Sequence, residues 1–113
     1  MSVGTRDRRF GDVVGVNPAC ERLADGFLFT EGPLWDPRRN RLLFSDIPGN
    51  ALMQWSPATG VRVFRTPSNM ANGLAWDRHG RLLCCEHATS QVTRMDEDGR
   101  VSVIASEYQG QAL

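Results

Sequence analysis

Two stretches of this chain recur at a fixed spacing, which leaves few folds open to it. Glu31-Gly32-Pro33-Leu34-Trp35-Asp36 is followed by Arg41-Leu42-Leu43-Phe44-Ser45-Asp46, and Asn72-Gly73-Leu74-Ala75-Trp76-Asp77 by Arg81-Leu82-Leu83-Cys84-Cys85-Glu86. Trp35 and Trp76 stand 41 residues apart, as do Asp36 and Asp77, while Leu42/Leu82 and Leu43/Leu83 are 40 apart. A period near 40 in strand-like sequence points to β-propeller blades, each repeat being one sheet that packs on its neighbours.

The strands follow in order. In the first repeat Gly32–Asp36 reads as the inner strand, then Arg41–Asp46, Ala51–Trp55 and an alternating outer strand, Val61–Arg65. Pro37–Asn40 and Ser56–Gly60 carry turn chemistry. The second repeat gives Asn72–Asp77, Arg81–Glu86, Gln91–Met95 and Arg100–Ala105, with Asp98-Gly99 as a strong hairpin signal. The fold class is therefore all-β: two four-stranded blades of an incomplete propeller. Residues 1–19 are polar and aperiodic and read as an N-terminal extension. Residues 20–113 read as the two blades, with Cys20–Ala24 as a leading strand. Ile104 starts a third approach through Ser106–Gly110, so a third inner strand is expected at Leu113 and the chain reads as cut at a repeat boundary. Two blades leave two apolar faces open. Further blades would cover them, or three two-bladed chains closing into a ring.

Charge narrows the partners. Thirteen basic and thirteen acidic residues give a net formal charge of zero, so neither a nucleic-acid surface nor a polybasic membrane patch is indicated. No apolar run approaches a membrane span. Arg6, Arg8 and Arg9 are not followed by the apolar core of a secretory signal, and a cytoplasmic location is the expectation. Cys20, Cys84 and Cys85 form no CxxC or Cys/His zinc spacing and read as buried, reduced thiols on strands.

Propeller connectivity places the candidate chemistry. The loop that enters each inner strand and the loop after each second strand open on one face of the disc. Glu31 and Asn72 stand at the mouths of inner strands. Asp46, Glu86 and His87 end second strands on that same face. Oxygen donors around a channel suit a hard divalent cation. Each has a plainer reading: Glu31 as a cap on strained backbone, Asn72 as a turn residue, Asp46 and Glu86 as structural acceptors, His87 as a loop-edge group. Asp36 and Asp77 precede turns, where Asp bonds local backbone, and read as structural. Trp35, Trp55 and Trp76 read as blade packing.

Glu31-Gly32-Pro33-Leu34-Trp35, Leu42-Leu43-Phe44-Ser45-Asp46-Ile47-Pro48-Gly49-Asn50, Ala71-Asn72-Gly73-Leu74 and Cys85-Glu86-His87 together resemble the gluconolactonase, senescence marker protein (regucalcin) and luciferin-regenerating enzyme family. The resemblance covers residues 20–113 and is nearest to bacterial gluconolactonases. It implies a six-bladed propeller holding one divalent cation, calcium or zinc, and hydrolysis of a sugar lactone as the small-molecule substrate. It makes Glu31 a metal ligand and Asn72, Glu86 and His87 candidate pocket residues. The other ligands, and the carboxylate that acts as general base, are expected beyond Leu113. An inactive partial hydrolase is thus the leading expectation. A non-catalytic propeller used for binding or scaffolding is the alternative, since fold does not fix function.

Overall fold

The structure is a computed structural model and describes residues 4–113. A short helix, α1 (Phe10–Val14), comes first. Strands β1 (Thr30–Asp36), β2 (Arg41–Asp46), β3 (Ala51–Ser56) and β4 (Gly60–Arg65) form one antiparallel sheet in chain order. Strands β5 (Ala71–Trp76), β6 (Leu82–Glu86), β7 (Gln91–Met95) and β8 (Val101–Ala105) form a second. These are two consecutive propeller blades, with strand limits within a residue or two of those read from sequence.

The repeat extends to irregularities. Register shifts fall between Glu31 and Leu34 in the first blade and between Ala71 and Gly73 in the second. A second pair falls between Leu52 and Met53 and between Val92 and Thr93. The turns are fixed by the aspartates. Asp36 Oδ1 accepts the backbone N–H groups of Arg38 (3.2 Å) and Arg39 (3.3 Å). Asp77 Oδ1 accepts those of His79 (2.8 Å) and Arg81 (2.9 Å). Both aspartates are structural, as expected from their sequence positions.

The core lies between the blades. Leu43 and Leu52 from the first and Ala71, Leu82 and Cys84 from the second form one buried cluster, with Leu34, Phe64, Leu74, Trp76 and Met95 packed around it. Burying each leucine contributes about 1.5–3 kcal/mol. Polar contacts lock the approach: Trp76 Nε1–H donates to the Trp35 carbonyl at 2.9 Å, and the Ser45 hydroxyl to the Ala71 carbonyl. Gly32 is required here. Its φ of 61° lies in the left-handed region, and a Cβ would collide with the Asn72 carbonyl oxygen.

Three expectations are corrected. Cys20–Ala24 forms no strand: pairing stops at a single bridge at Ala19, and Glu21–Ala24 border the groove beside the first blade. Phe27 anchors that region, its ring edge-on to Phe44 at 5.0 Å. The N-terminal extension carries α1, outside the repeat, and residues 1–3 lie outside the described residues. Of the thiols only Cys84 is buried, while Cys20 and Cys85 are exposed. Adjacent strand residues point to opposite faces, so Cys84 enters the core and Cys85 the open face. Finally, Ser106–Gly110 is not a plain loop. Strands β9 (Glu107–Tyr108) and β10 (Gln111–Ala112) pair as a tight hairpin. Its central residues Gln109 and Gly110 have φ of 50° and 77°, the pair of positive values that a two-residue turn demands.

Candidate functional site

The loops predicted to share one face do meet. Ile47 N–H donates to the Phe29 carbonyl at 3.1 Å, and at the equivalent point in the second blade His87 N–H donates to the Met70 carbonyl at 3.3 Å. In each blade the end of the second strand therefore holds the chain that leads into the inner strand. This is backbone bonding, and it needs no particular side chain at 47 or 87.

The acids on this face divide sharply. Asp46 is 8% exposed and accepts the N–H groups of Leu28 (3.3 Å) and Phe29 (3.2 Å). Glu86 is 4% exposed and accepts from Arg65 (2.7 Å), Asn69 (3.2 Å) and Thr89 (3.1 Å). Both are structural acceptors that brace the segments feeding β1 and β5. Glu31 is different. It is exposed, it faces Ser45 across the β1–β2 ladder, and among the described residues nothing donates to its carboxylate.

Glu31 borders a groove of about 410 Å³ between the first blade and the preceding segment, whose walls include Leu23, Phe27, Phe44 and Trp55. Asn72, Glu86 and His87 border a second groove of about 250 Å³, together with Cys85 and Gln91. The three pocket candidates are thus brought together, and Glu31 stands at a neighbouring mouth. Gly32, pressed on the Asn72 carbonyl, joins the two. Trp55 lines the first groove, and Trp35 is 46% exposed, so neither tryptophan is fully packed away.

Sequence reasoning missed Asn50. Its side-chain Oδ1 accepts the Met70 N–H at 2.9 Å, and its own carbonyl accepts Ser68 N–H (3.0 Å) and the Thr66 hydroxyl (3.3 Å). One residue thereby organises the segment that delivers Asn72. Asn69 and Met70 both sit at left-handed φ, 55° and 54°, which Asn tolerates and Met does not readily adopt. The available signal was Asn50 itself, a loop residue at the end of a Pro-Gly-Asn run, in a type of position where Asn commonly adopts positive φ (here 53°).

Charge perturbations sit away from these grooves. Burial pushes the Cys84 thiol up to about 11. Burial raises Asp36, but the Arg41 guanidinium and the turn N–H groups outweigh it and hold the carboxyl below its ordinary value. The Arg81 N–H leads the groups that pull Asp77 down to about 2. None of these marks a reactive group at the face.

A divalent cation requires several oxygen donors. Among the described residues no three of His, Cys, Asp and Glu are gathered where they could hold a metal. Asp46 and Glu86 spend their oxygens on the protein, and Glu31 is a single carboxylate. The residues present do not by themselves fit the cation.

The description "SMP-30/Gluconolactonase/LRE-like region" matches residues 29–113. A gluconolactonase of Zymomonas mobilis subsp. mobilis is 29% identical over 116 residues, covering 90% of this chain and 33% of that protein. A crystal structure from structural genomics, assigned as a gluconolactonase, superposes with a TM-score of 0.76 at 34% identity, covering 82% of this chain and 32% of that one. A gluconolactonase of Xanthomonas campestris gives 0.75 at 33% identity, with 80% and 31% covered. The chain spans about a third of the length of these relatives.

Proposed function

The chain belongs to the SMP-30/gluconolactonase/LRE-like family, and from that premise we propose that it supplies two blades and one metal-ligating carboxylate, Glu31, of a hydrolase acting on sugar lactones. The observation that supports this reading is the contrast among the acids. Asp46 and Glu86 are consumed by backbone and side-chain donors, whereas Glu31 is exposed at a groove with its oxygens uncommitted. Asn72 and His87, which border the adjoining groove, would contact the polar substituents of a sugar-derived ring in this reading.

The proposed cofactor is a divalent cation, calcium or zinc, with Glu31 as one of its ligands. When bound, such an ion acts as a Lewis acid toward a carbonyl. Among the described residues no three of His, Cys, Asp and Glu are gathered to hold the ion, so the 113-residue chain by itself is proposed to lack lactonase activity.

The test has two arms. The purified chain should hydrolyse gluconolactone no faster than the spontaneous rate, with or without calcium or zinc. A chimera carrying this chain in place of the matching third of a full-length gluconolactonase should be active, and Glu31→Gln should lower its activity by at least about 100-fold. An active isolated chain would refute the incompleteness, and a chimera indifferent to Glu31→Gln would refute the ligand.

A further inference from the structure

A third groove, of about 540 Å³, lies between the two blades. It runs from Arg65, at the end of β4, to the turns that carry Arg39, Gly80 and Glu97. Those turns stand at the opposite end of the inner strands from Glu31 and Asn72. Residues of both blades of this chain form its walls. The end of β4 departs from simple alternation there. Leu52 pairs with Arg65 and Met53 with Val63, so Phe64 is the extra residue of a β-bulge, and Phe64 and Arg65 both border the groove. The same bulge in β8 delivers Ile104 and Ala105, which carry no charge. The charged wall is therefore not part of the repeat.

Three guanidiniums line the groove with donors to spare. Arg41 gives Nε–H to Asp36 (3.0 Å) and Nη1–H to Gln54 (2.8 Å), and its guanidinium stands 5.0 Å over the Phe64 ring. Arg39 reaches the same Asp36, and Glu97, each at 3.4 Å. Arg65 gives Nη2–H to Glu86, while its Nη1 is buried without a hydrogen-bond partner among the described residues. The Cys84 thiol beside it is a weak acceptor, which burial keeps protonated by pushing it up to about 11. One buried carboxylate, Asp36, thus serves two arginines, and a buried donor stays unused, which is costly. Phe64, Trp76, Leu82 and Met95 supply apolar wall. Asp96 and Glu97 also border the groove, and they oppose a doubly charged ligand more than a singly charged one.

We propose that this groove is a second binding site, for a small aromatic carboxylate. Its ring lies against Phe64, Trp76 and Met95, and its carboxylate pairs with the guanidiniums of Arg39 and Arg41, in the field of Arg65. A planar carboxylate matches the two-pronged guanidinium, and the volume suits a ligand of that size. The inference does not depend on lactone hydrolysis.

The probe is 2-naphthoate, titrated calorimetrically into the 113-residue chain and into the full-length chimera described above. The two blades are joined in both, so both should bind it saturably, at about 1 mM or tighter. 2-Naphthalenemethanol, the same ring without the charge, should bind at least about 10-fold more weakly. Arg39→Ala should weaken naphthoate binding by about 5-fold or more. The fold survives that change, since Asp36 keeps Arg41 and two turn N–H groups. Glu97→Gln weakens the competition for Arg39 and should tighten binding by about 2- to 5-fold. In NMR spectra of the labelled chain, naphthoate should shift the indole N–H of Trp76, which borders this groove, and not that of Trp55, which borders the groove beside Glu31. Failure of the chimera to bind saturably, equal binding of the alcohol, or indifference to either substitution would overturn the proposal. So would a shift at Trp55 in place of Trp76.

Discussion

Asn50 and Met70 are joined by one hydrogen bond of 2.9 Å, from the Met70 N–H to the Asn50 side-chain oxygen, and it holds the last turn before β5 in a left-handed conformation. The bond links two loops 20 residues apart and sets where Asn72 begins its strand. Asn50→Ala removes the acceptor and places alanine at φ 53°. A loss of about 1–3 kcal/mol is expected. Asn50→Gly loses the bond but not the backbone conformation, and should cost less. Urea titration of both variants against wild type checks the order.

The buried pair of Arg65 and Glu86 is expected to fail asymmetrically. The two meet at 2.7 Å with side chains 14% and 2% exposed. Glu86→Ala leaves a buried guanidinium without its partner and should destabilise by about 3–5 kcal/mol. Replacing both, as Arg65→Met with Glu86→Leu, should cost clearly less. Thermal melts of single and double variants decide it, and a double variant as unstable as the single would contradict the account.

Acid sensitivity should come from the turn aspartates. Asp77 is held down to about 2 and Asp36 below its ordinary value, so the unfolded chain takes up these protons before the native one does. Their contribution is complete above about pH 4 and declines as pH falls toward 2. Asp77→Asn should therefore be less stable than wild type at neutral pH, with the gap closing across that window. Melting temperatures at half-unit pH steps measure the slope.

The two equivalent glycines should respond oppositely to a methyl group. Gly32→Ala forces a left-handed alanine into the Asn72 carbonyl and should cost at least about 2–3 kcal/mol. Gly73→Ala meets only ordinary contact and should stay within about 1 kcal/mol of wild type in the isolated chain. Chemical denaturation of the pair tests whether the blades pack through position 32.

Strand order, blade count and turns were legible because each is a local consequence of sequence. Two-residue alternation, a 40-residue period and Asp-Gly or Asp-Arg turns fix them without reference to distant residues. The structural roles of Asp36 and Asp77 followed from the same local rule, since their donors lie within five residues. The roles of Asp46, Glu86 and Asn50 did not. Apart from Thr89 on Glu86, their partners stand 16 to 21 residues away and are brought near only when a loop folds back over the next strand. Cys84 and Cys85 look alike in sequence, and only the choice of which sheet face meets the neighbouring blade buries one and exposes the other. The sequence alone determined that the chain forms paired blades, because hydrophobic alternation is a property of neighbours along the chain. The tertiary structure decided which acids remain uncommitted, because a carboxylate's availability depends on donors that long-range packing alone delivers.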